Sequence, residues 1–149
     1  MTPVAKTSKK KVTAVTWAEA PAEHDYPSAE AFLRLIAEPA QVQACLIRLA
    51  EAPTIHQAAK DILRASRLPL LPATDPEVAK DLRKVSLETP LSPILLVRGD
   101  IAEGRPLQIA DGYHRVCASY QLGENTAIPC RLITLPEAAP ARPESGHTP

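Results

Sequence analysis

Aromatic residues are scarce in this chain of 149 residues, which contains one Trp, three Tyr and one Phe. Aliphatic side chains must therefore fill the interior. A platform of stacked rings, of the kind that single-stranded nucleic acids prefer, is not expected. Neither sign of charge is in excess, since 17 Lys and Arg balance 17 Asp and Glu. This balance argues against general electrostatic binding to DNA or to acidic membranes.

Cysteine is also sparse, and its pattern argues against a disulfide framework or a structural zinc site. The three cysteines, Cys45, Cys117 and Cys130, are odd in number and form no Cys-x-x-Cys pair. We expect three reduced thiols in a reducing compartment. No apolar run approaches the roughly 20 residues of a membrane span. Residues 1–11 are basic without a following apolar stretch, unlike a secretory signal. A cytoplasmic protein without a membrane partner is predicted.

The composition predicts one folded domain between two tails. Hydrophobic residues make up 45% of the chain, enough for a packed core. Residues 1–11 contain Lys6 and three consecutive lysines and are predicted to be a disordered basic tail. Residues 136–149 are rich in proline and are predicted to be a second disordered tail. The single domain is expected to span residues 12–135.

Hydrophobic periodicity predicts helices in the first half of this domain and strands in the second. The predicted fold class is α+β, a small mixed β-sheet backed by helices, with a helical N-terminal half. Ser28, Thr54 and the Thr74–Glu77 capping box are the predicted starts of three helices. The predicted helices are 29–37, 39–51, 54–65, 74–85 and 114–122, the last closed by Gly123, and the predicted strands are 93–98, 107–110 and 128–134.

The segment Asp111-Gly112-Tyr113-His114-Arg115 joins a predicted strand to a predicted helix. Helix N-termini expose unpaired backbone N–H groups, at which anions bind. Gly112 lets a ligand approach the backbone closely, and Arg115 has a planar fork that matches phosphate. His114 can donate a further hydrogen bond. The pattern indicates a phosphate-binding turn.

A purely structural interpretation of the same five residues stays open. Asp111 could only cap the helix, Gly112 could only shape the turn, and His114 and Arg115 could be ordinary surface residues. Helical spacing places Tyr113, Val116, Cys117 and Tyr120 on one apolar stripe, so Cys117 is expected to be a buried, unreactive thiol.

Residues 91–133 resemble the ParB/sulfiredoxin-like superfamily. The match consists of the strand Pro93-Ile94-Leu95-Leu96-Val97, the turn Gly112-Tyr113-His114-Arg115, Ala118 in the following helix, and the final strand Ile128-Pro129-Cys130-Arg131-Leu132-Ile133. A looser match reaches back to about Ile62. The resemblance implies a ParB/sulfiredoxin-like fold that holds a nucleoside triphosphate, ATP or CTP, with Mg²⁺.

The resemblance also implies roles for particular residues. Gly112, Tyr113, His114 and Arg115 match the phosphate-binding turn, and Arg64 matches a second phosphate contact. Asp111 resembles the acid of the kinase-like members. It is therefore the predicted metal ligand and, with His114, the predicted catalytic pair.

Two departures from the family pattern limit what the resemblance implies. Tyr113 stands where sulfiredoxin has its reactive cysteine, which excludes sulfinic-acid reduction through that thiol. A proline-rich segment follows Ile133 where partition proteins carry a helix-turn-helix domain, which argues against specific DNA binding.

Three functions remain open from the sequence. The first is an enzyme that transfers or hydrolyses a nucleotide phosphate, as a small-molecule kinase or NTPase, with Asp111 as its general base. Glu77 and Asp81 are alternative carboxylates for Mg²⁺, although a capping role and a solvated surface position explain them as well. The second is a nucleotide-responsive module without turnover that acts on a protein or DNA partner. The third, a nucleic-acid-processing module, is disfavoured by the zero net charge.

Overall fold

A computed structural model describes residues 14–137, and all structural statements below concern this part of the chain. It contains five helices and four strands, a mixed α and β architecture. In chain order the elements are α1 Asp25–Leu33, α2 Pro39–Glu51, β1 Ile55–Ala58, α3 Ala59–Ser66, α4 Pro76–Ser86, β2 Ile94–Arg98, β3 Gln108–Asp111, α5 Tyr113–Leu122 and β4 Ala127–Thr134.

The four strands form one mixed sheet in the order β1-β4-β2-β3. The central strands β2 and β4 are parallel, with Ile94 opposite Cys130 and Arg98 opposite Thr134. The outer strands β1 and β3 each pair antiparallel with their neighbours. Because β3 is antiparallel to β2, the end of β3 at Asp111 lies beside the start of β2. This arrangement determines where the Asp111–Arg115 turn lies.

Two hydrophobic clusters cover the two faces of the sheet. On one face, Ile94 and Leu96 of β2 pack with buried residues of α3, α4 and α5. On the other face, Leu95 and Val97 pack with buried residues of α1 and α2. The first four side chains of β2, from Ile94 to Val97, are buried because the strand is covered on both faces, which explains its unbroken apolar run.

The predicted third helix is wrong in its first half. Residues 55–58 form β1, which pairs with β4, and the helix begins only at Ala59. Ile55, Ala58, Ala59, Ile62 and Leu63 fit a helical period, but the last three alone are helical. The N-terminal half is therefore not purely helical, and it contributes an edge strand to the sheet.

Helix starts also differ from the predictions. Helix α1 begins at Asp25, so Ser28 lies inside it and does not cap it. At α4 the cap is Asp75, whose carboxylate accepts hydrogen bonds from the N–H groups of Glu77 and Val78. Thr74 is therefore not the capping residue. Gly123 does end α5, but its φ of 171° is extended backbone and not the left-handed conformation expected there.

All three cysteines are buried and unpaired within residues 14–137, and burial had been predicted for Cys117. Burial raises the pKa of the Cys117 thiol, which keeps it in the unreactive protonated form. None of the helices in the described range has the length and apolar character needed to cross a bilayer. The predicted tails lie outside this range except for residues 136 and 137, and Pro136 is buried with its carbonyl oxygen accepting from Gln41 at 3.0 Å.

Candidate functional site

The turn between β3 and α5 opens into a cleft of about 410 Å³ at the beginning of β2. Residues 111–115 form one wall of this cleft. Residues 90–92 and the segment that leads into α1 line further parts, and one face of α4 lines the rest. The cleft thus brings together four stretches that are distant in sequence.

Gly112 makes the turn possible for two reasons. Its φ of 120° lies in a region that side chains rarely adopt. In addition, a Cβ atom at this position would lie 2.7 Å from Cβ of Ile94, and close to the Arg115 guanidinium. Glycine therefore lets the backbone pack directly onto the start of β2. Its role is to shape the turn, as the structural interpretation proposed.

Arg115 is not free to bind a ligand, because it is held in an ion-pair network beneath the turn. Its Nη2 donates to Asp111 Oδ2 at 2.5 Å, and its Nη1 donates to the Ser92 carbonyl oxygen at 2.6 Å. Nη1 also contacts Ser92 Oγ and lies 3.5 Å from Asp25 Oδ2. The side chains of Arg115, Asp111 and Asp25 are only 12%, 15% and 4% exposed. The guanidinium of α5 thus connects the segment that precedes β2 with β3 and α1.

Asp111 does not cap α5, since its carboxylate pairs with Arg115. No side chain in the described residues caps this helix. The first intrahelical bond is donated by the Val116 N–H to the Gly112 carbonyl oxygen at 3.0 Å. The N–H groups of Tyr113, His114 and Arg115 precede that bond and have no intrahelical acceptor. The positive end of the helix therefore lies open at the cleft.

Burial and pairing shift the two carboxyl groups of the network in opposite directions. Burial raises the pKa of Asp111 above its ordinary value, although the Arg115 charge opposes this shift. Burial alone would also raise the pKa of Asp25, but hydrogen bonds from Ser92 and Ala22 and the Arg115 charge lower it overall. Of the two carboxyl groups that share this guanidinium, Asp25 therefore has the lower pKa.

These directions predict a pH-dependent stability. The raised pKa of Asp111 stabilises the fold fully below its unfolded value of about 3.8, and this contribution is lost as the pH rises through the folded pKa. The Asp111→Asn variant has no carboxyl group at this position, so it does not lose this stability as the pH rises. The free energy of unfolding of this variant relative to wild type should therefore improve as the pH rises above about 4, measured by urea denaturation. The exposed control Glu19→Gln should show a difference from wild type that does not change with pH. If the difference between Asp111→Asn and wild type is equally independent of pH, the prediction is wrong.

His114 and Tyr113 both line the cleft but differ in availability. The Tyr113 hydroxyl donates to the Pro69 carbonyl oxygen at 2.6 Å, so its polar atom is already engaged. The partly exposed imidazole of His114 lies with its centroid 5.4 Å from the Tyr113 ring. It makes no hydrogen bond to the described residues. Of the predicted phosphate-binding side chains, only His114 is available at the helix N-terminus.

One face of α4 adds three ionisable residues, Glu77, Asp81 and Lys84, to the cleft. Asp81 is partly buried, and burial raises its pKa against the charges of Lys84, Arg115 and His114. Asp81 has no hydrogen-bond partner among the described residues. Asp81 is therefore not fully solvated, unlike the surface position considered from the sequence. Glu77 faces the cleft from the first turn of α4. Lys84 is exposed and carries a cationic group.

Arg64 lies elsewhere. It is exposed on α3, pairs with Asp61 at 2.9 Å, and lines a different cavity at the other end of β2. The structure does not bring it together with residues 111–115.

Comparison of the chain with protein-family models, with curated proteins and with solved structures finds no match. The resemblance to the ParB/sulfiredoxin-like superfamily therefore stays a prediction.

The side chains of the cleft could hold Mg²⁺ only together with the phosphate oxygens of a bound molecule. Among residues 14–137 no three His, Cys, Asp or Glu side chains are grouped to hold a metal ion. Asp111, the predicted metal ligand, is engaged by Arg115. Glu77 and Asp81, one helical turn apart, are the cleft carboxylates outside this network. Mg²⁺ commonly takes one or two carboxylates and completes its shell with phosphate oxygens and water.

Sequence reasoning missed Asp25, Ser92 and Lys84. Asp25 and Ser92 precede Arg115 by 90 and 23 residues, and neither belongs to a local motif. A buried arginine needs partners, but only the tertiary arrangement shows which residues supply them. Lys84 carries a weak signal, since it lies three residues after Asp81 and seven after Glu77, which places all three on one helix face.

Proposed function

We propose that the protein binds the phosphate groups of a Mg²⁺-bound nucleoside triphosphate in this cleft. The observation that carries the proposal is the uncapped N-terminus of α5, which opens beside the imidazole of His114 and across from Lys84. Backbone N–H groups at a helix N-terminus bind phosphate oxygens, and the two side chains add donors. The resemblance to the ParB/sulfiredoxin-like superfamily also supports a nucleoside triphosphate as the ligand. We propose the ParB/sulfiredoxin-like fold for this chain on the same ground.

The charge of the cleft supports the need for Mg²⁺. Asp25, Glu77, Asp81 and Asp111 outnumber the cations Lys84 and Arg115. A free triphosphate would add negative charge to this excess. When bound, Mg²⁺ would neutralise phosphate charge, with Glu77 as its protein ligand and with phosphate oxygens and water completing its shell. Arg115 has a positioning role, because it holds Asp111 and the turn in place and does not touch the phosphates.

A calorimetric titration with ATP and CTP, with and without Mg²⁺, tests this proposal. We expect binding that needs Mg²⁺, and a loss of about tenfold in affinity in His114→Ala and in Lys84→Ala, because each removes a charge-assisted or polar phosphate contact. Arg83→Ala is the matched control, since Arg83 neighbours Lys84 on α4 but does not line the cleft. The proposal is wrong if neither ATP nor CTP binds, or if Arg83→Ala lowers the affinity as much as His114→Ala and Lys84→Ala do.

We further propose that the bound nucleotide is hydrolysed or donates its terminal phosphate, with Asp81 as the general base. A water or an acceptor hydroxyl would attack the terminal phosphorus and lose its proton to Asp81, while the bond to the bridging oxygen breaks and the nucleoside diphosphate leaves. Because burial raises the pKa of Asp81, its carboxylate accepts a proton more readily than an ordinary carboxylate. Asp111 is less suited, because its oxygen is held by Arg115.

Formation of the nucleoside diphosphate, measured with and without small-molecule hydroxyl acceptors, tests the second step separately. Asp81→Asn should abolish this product while nucleotide affinity falls by no more than about tenfold. If wild-type protein binds nucleotide but forms no nucleoside diphosphate with or without acceptors, the protein is the non-catalytic binding module considered above.

A further inference from the structure

A second cavity of about 600 Å³ lies at the opposite end of β2 from the α5 cleft. It is bounded by α3, by the end of β2 and by the loop between β2 and β3. Its volume is within the range of about 300–1,000 Å³ that is usual for small-molecule sites. None of the residues described for the α5 cleft, from Gly112 to Arg115, lines it.

Four arginines line this cavity: Arg64, Arg67, Arg98 and Arg105. Two of them have carboxylate partners, since Arg64 pairs with Asp61 at 2.9 Å and Arg105 lies 3.6 Å from Asp100. Within residues 14–137, Arg67 and Arg98 have no such partner. Arg67 donates to the Gly104 carbonyl oxygen and Arg98 to Thr134 Oγ1, so each guanidinium keeps donors for a ligand. The cavity therefore carries an excess of positive charge.

The loop that carries Arg105 is closed by its own hydrogen bonds. The backbone groups of Asp100 and Arg105 exchange hydrogen bonds at 2.8 and 2.9 Å, and Asp100 Oδ1 accepts from the N–H of Ala102 at 3.0 Å. A Cβ atom at Gly99 would lie 2.7 Å from the Leu107 nitrogen, so the loop packs tightly where it leaves β2. This loop is a fixed wall, which reduces the ordering that ligand binding would require.

The floor of the cavity is apolar. Ile62 of α3 and Leu96 of β2 belong to the core cluster beneath it, and Leu107 and Leu132 pack against them. Guanidinium groups above an aliphatic floor match a molecule that has an anionic head and an apolar body.

We infer that this arginine-lined cavity binds a small organic dianion with an apolar body, held by Arg67 and Arg98. Phosphate monoesters and dicarboxylates share this chemistry, since a guanidinium binds either oxyanion through two parallel hydrogen bonds. The site is separate from the α5 cleft, so it does not depend on the nucleotide proposal.

Titration of the full chain with phenyl phosphate and with phthalate, followed by amide chemical shifts, tests this inference. We expect at least one probe to shift the amides of residues 99–105, and its affinity to fall about tenfold in both Arg67→Ala and Arg98→Ala. Preference for one probe identifies the oxyanion. Inorganic phosphate, which lacks the apolar body, should bind more weakly.

Two control variants separate the sites. Arg48→Ala removes an exposed arginine of α2 outside the cavity and should leave probe affinity unchanged. His114→Ala should also leave it unchanged. If neither probe shifts residues 99–105, or if His114→Ala abolishes binding while Arg67→Ala and Arg98→Ala do not, the inference is wrong.

Discussion

Replacing Arg115 by alanine should lower the free energy of unfolding by about 3–5 kcal/mol, because the carboxylates of Asp25 and Asp111 then stay buried without a counter-charge. The substitution also leaves the Ser92 carbonyl oxygen without its donor. A domain of this size has roughly 5–15 kcal/mol of stability, so the variant should be close to unfolding. Urea denaturation followed by circular dichroism measures the loss.

The triple variant Arg115→Met, Asp25→Asn, Asp111→Asn separates charge from packing. It removes the ion pairs together and should recover part of the stability lost in Arg115→Ala, because no buried charge stays unpaired. Arg48→Ala, at an exposed position, should cost less than about 0.5 kcal/mol. A loss below about 1 kcal/mol in Arg115→Ala would show that the guanidinium is not a structural group, and would restore it as a candidate ligand-binding residue.

Replacing Gly112 by alanine should cost about 2–5 kcal/mol. A side chain in left-handed backbone costs roughly 1–2 kcal/mol, and overpacking against Ile94 adds about 1–3 kcal/mol. Because the clash lies between the turn and the start of β2, the variant should also weaken nucleotide binding beyond what its stability alone explains. Thermal unfolding and calorimetric titration of the same sample measure the two effects.

Gly104→Ala provides the matched control for this substitution. Gly104 also has a positive φ, of 73°, but an added Cβ would meet nothing within 4 Å. Its cost should be limited to the backbone contribution of about 1–2 kcal/mol. Equal destabilisation by the two substitutions would contradict the close packing of Gly112 on Ile94.

Much of the fold can be predicted from sequence where the pattern is local. Strands β2 and β4 are long apolar runs, and α2 follows Pro39 with regular hydrophobic spacing, so these predictions are confirmed within a residue or two. The strand β1 was not predicted at all. Residues 55–58 carry no strand pattern of their own, and they are extended because β4 offers a free edge for pairing.

The candidate site was predicted in place but not in mechanism. Sequence alone located the strand-to-helix turn at Gly112 and the open helix after it. It assigned Arg115 to the ligand because arginine matches phosphate, whereas the fold uses this arginine to bind Asp25, Asp111 and Ser92. The chemistry of a residue indicates what it can bind, but the tertiary arrangement determines which partners lie within hydrogen-bonding distance.

We expect phosphate to bind the exposed backbone N–H groups at the start of α5. An NMR titration of the protein with Mg²⁺-ATP and Mg²⁺-CTP observes each amide separately. The amides of Tyr113, His114 and Arg115 should show the largest shifts and saturate together. If these three amides stay unchanged while nucleotide binds elsewhere, or if no amide shifts at all, phosphate does not bind at this helix N-terminus.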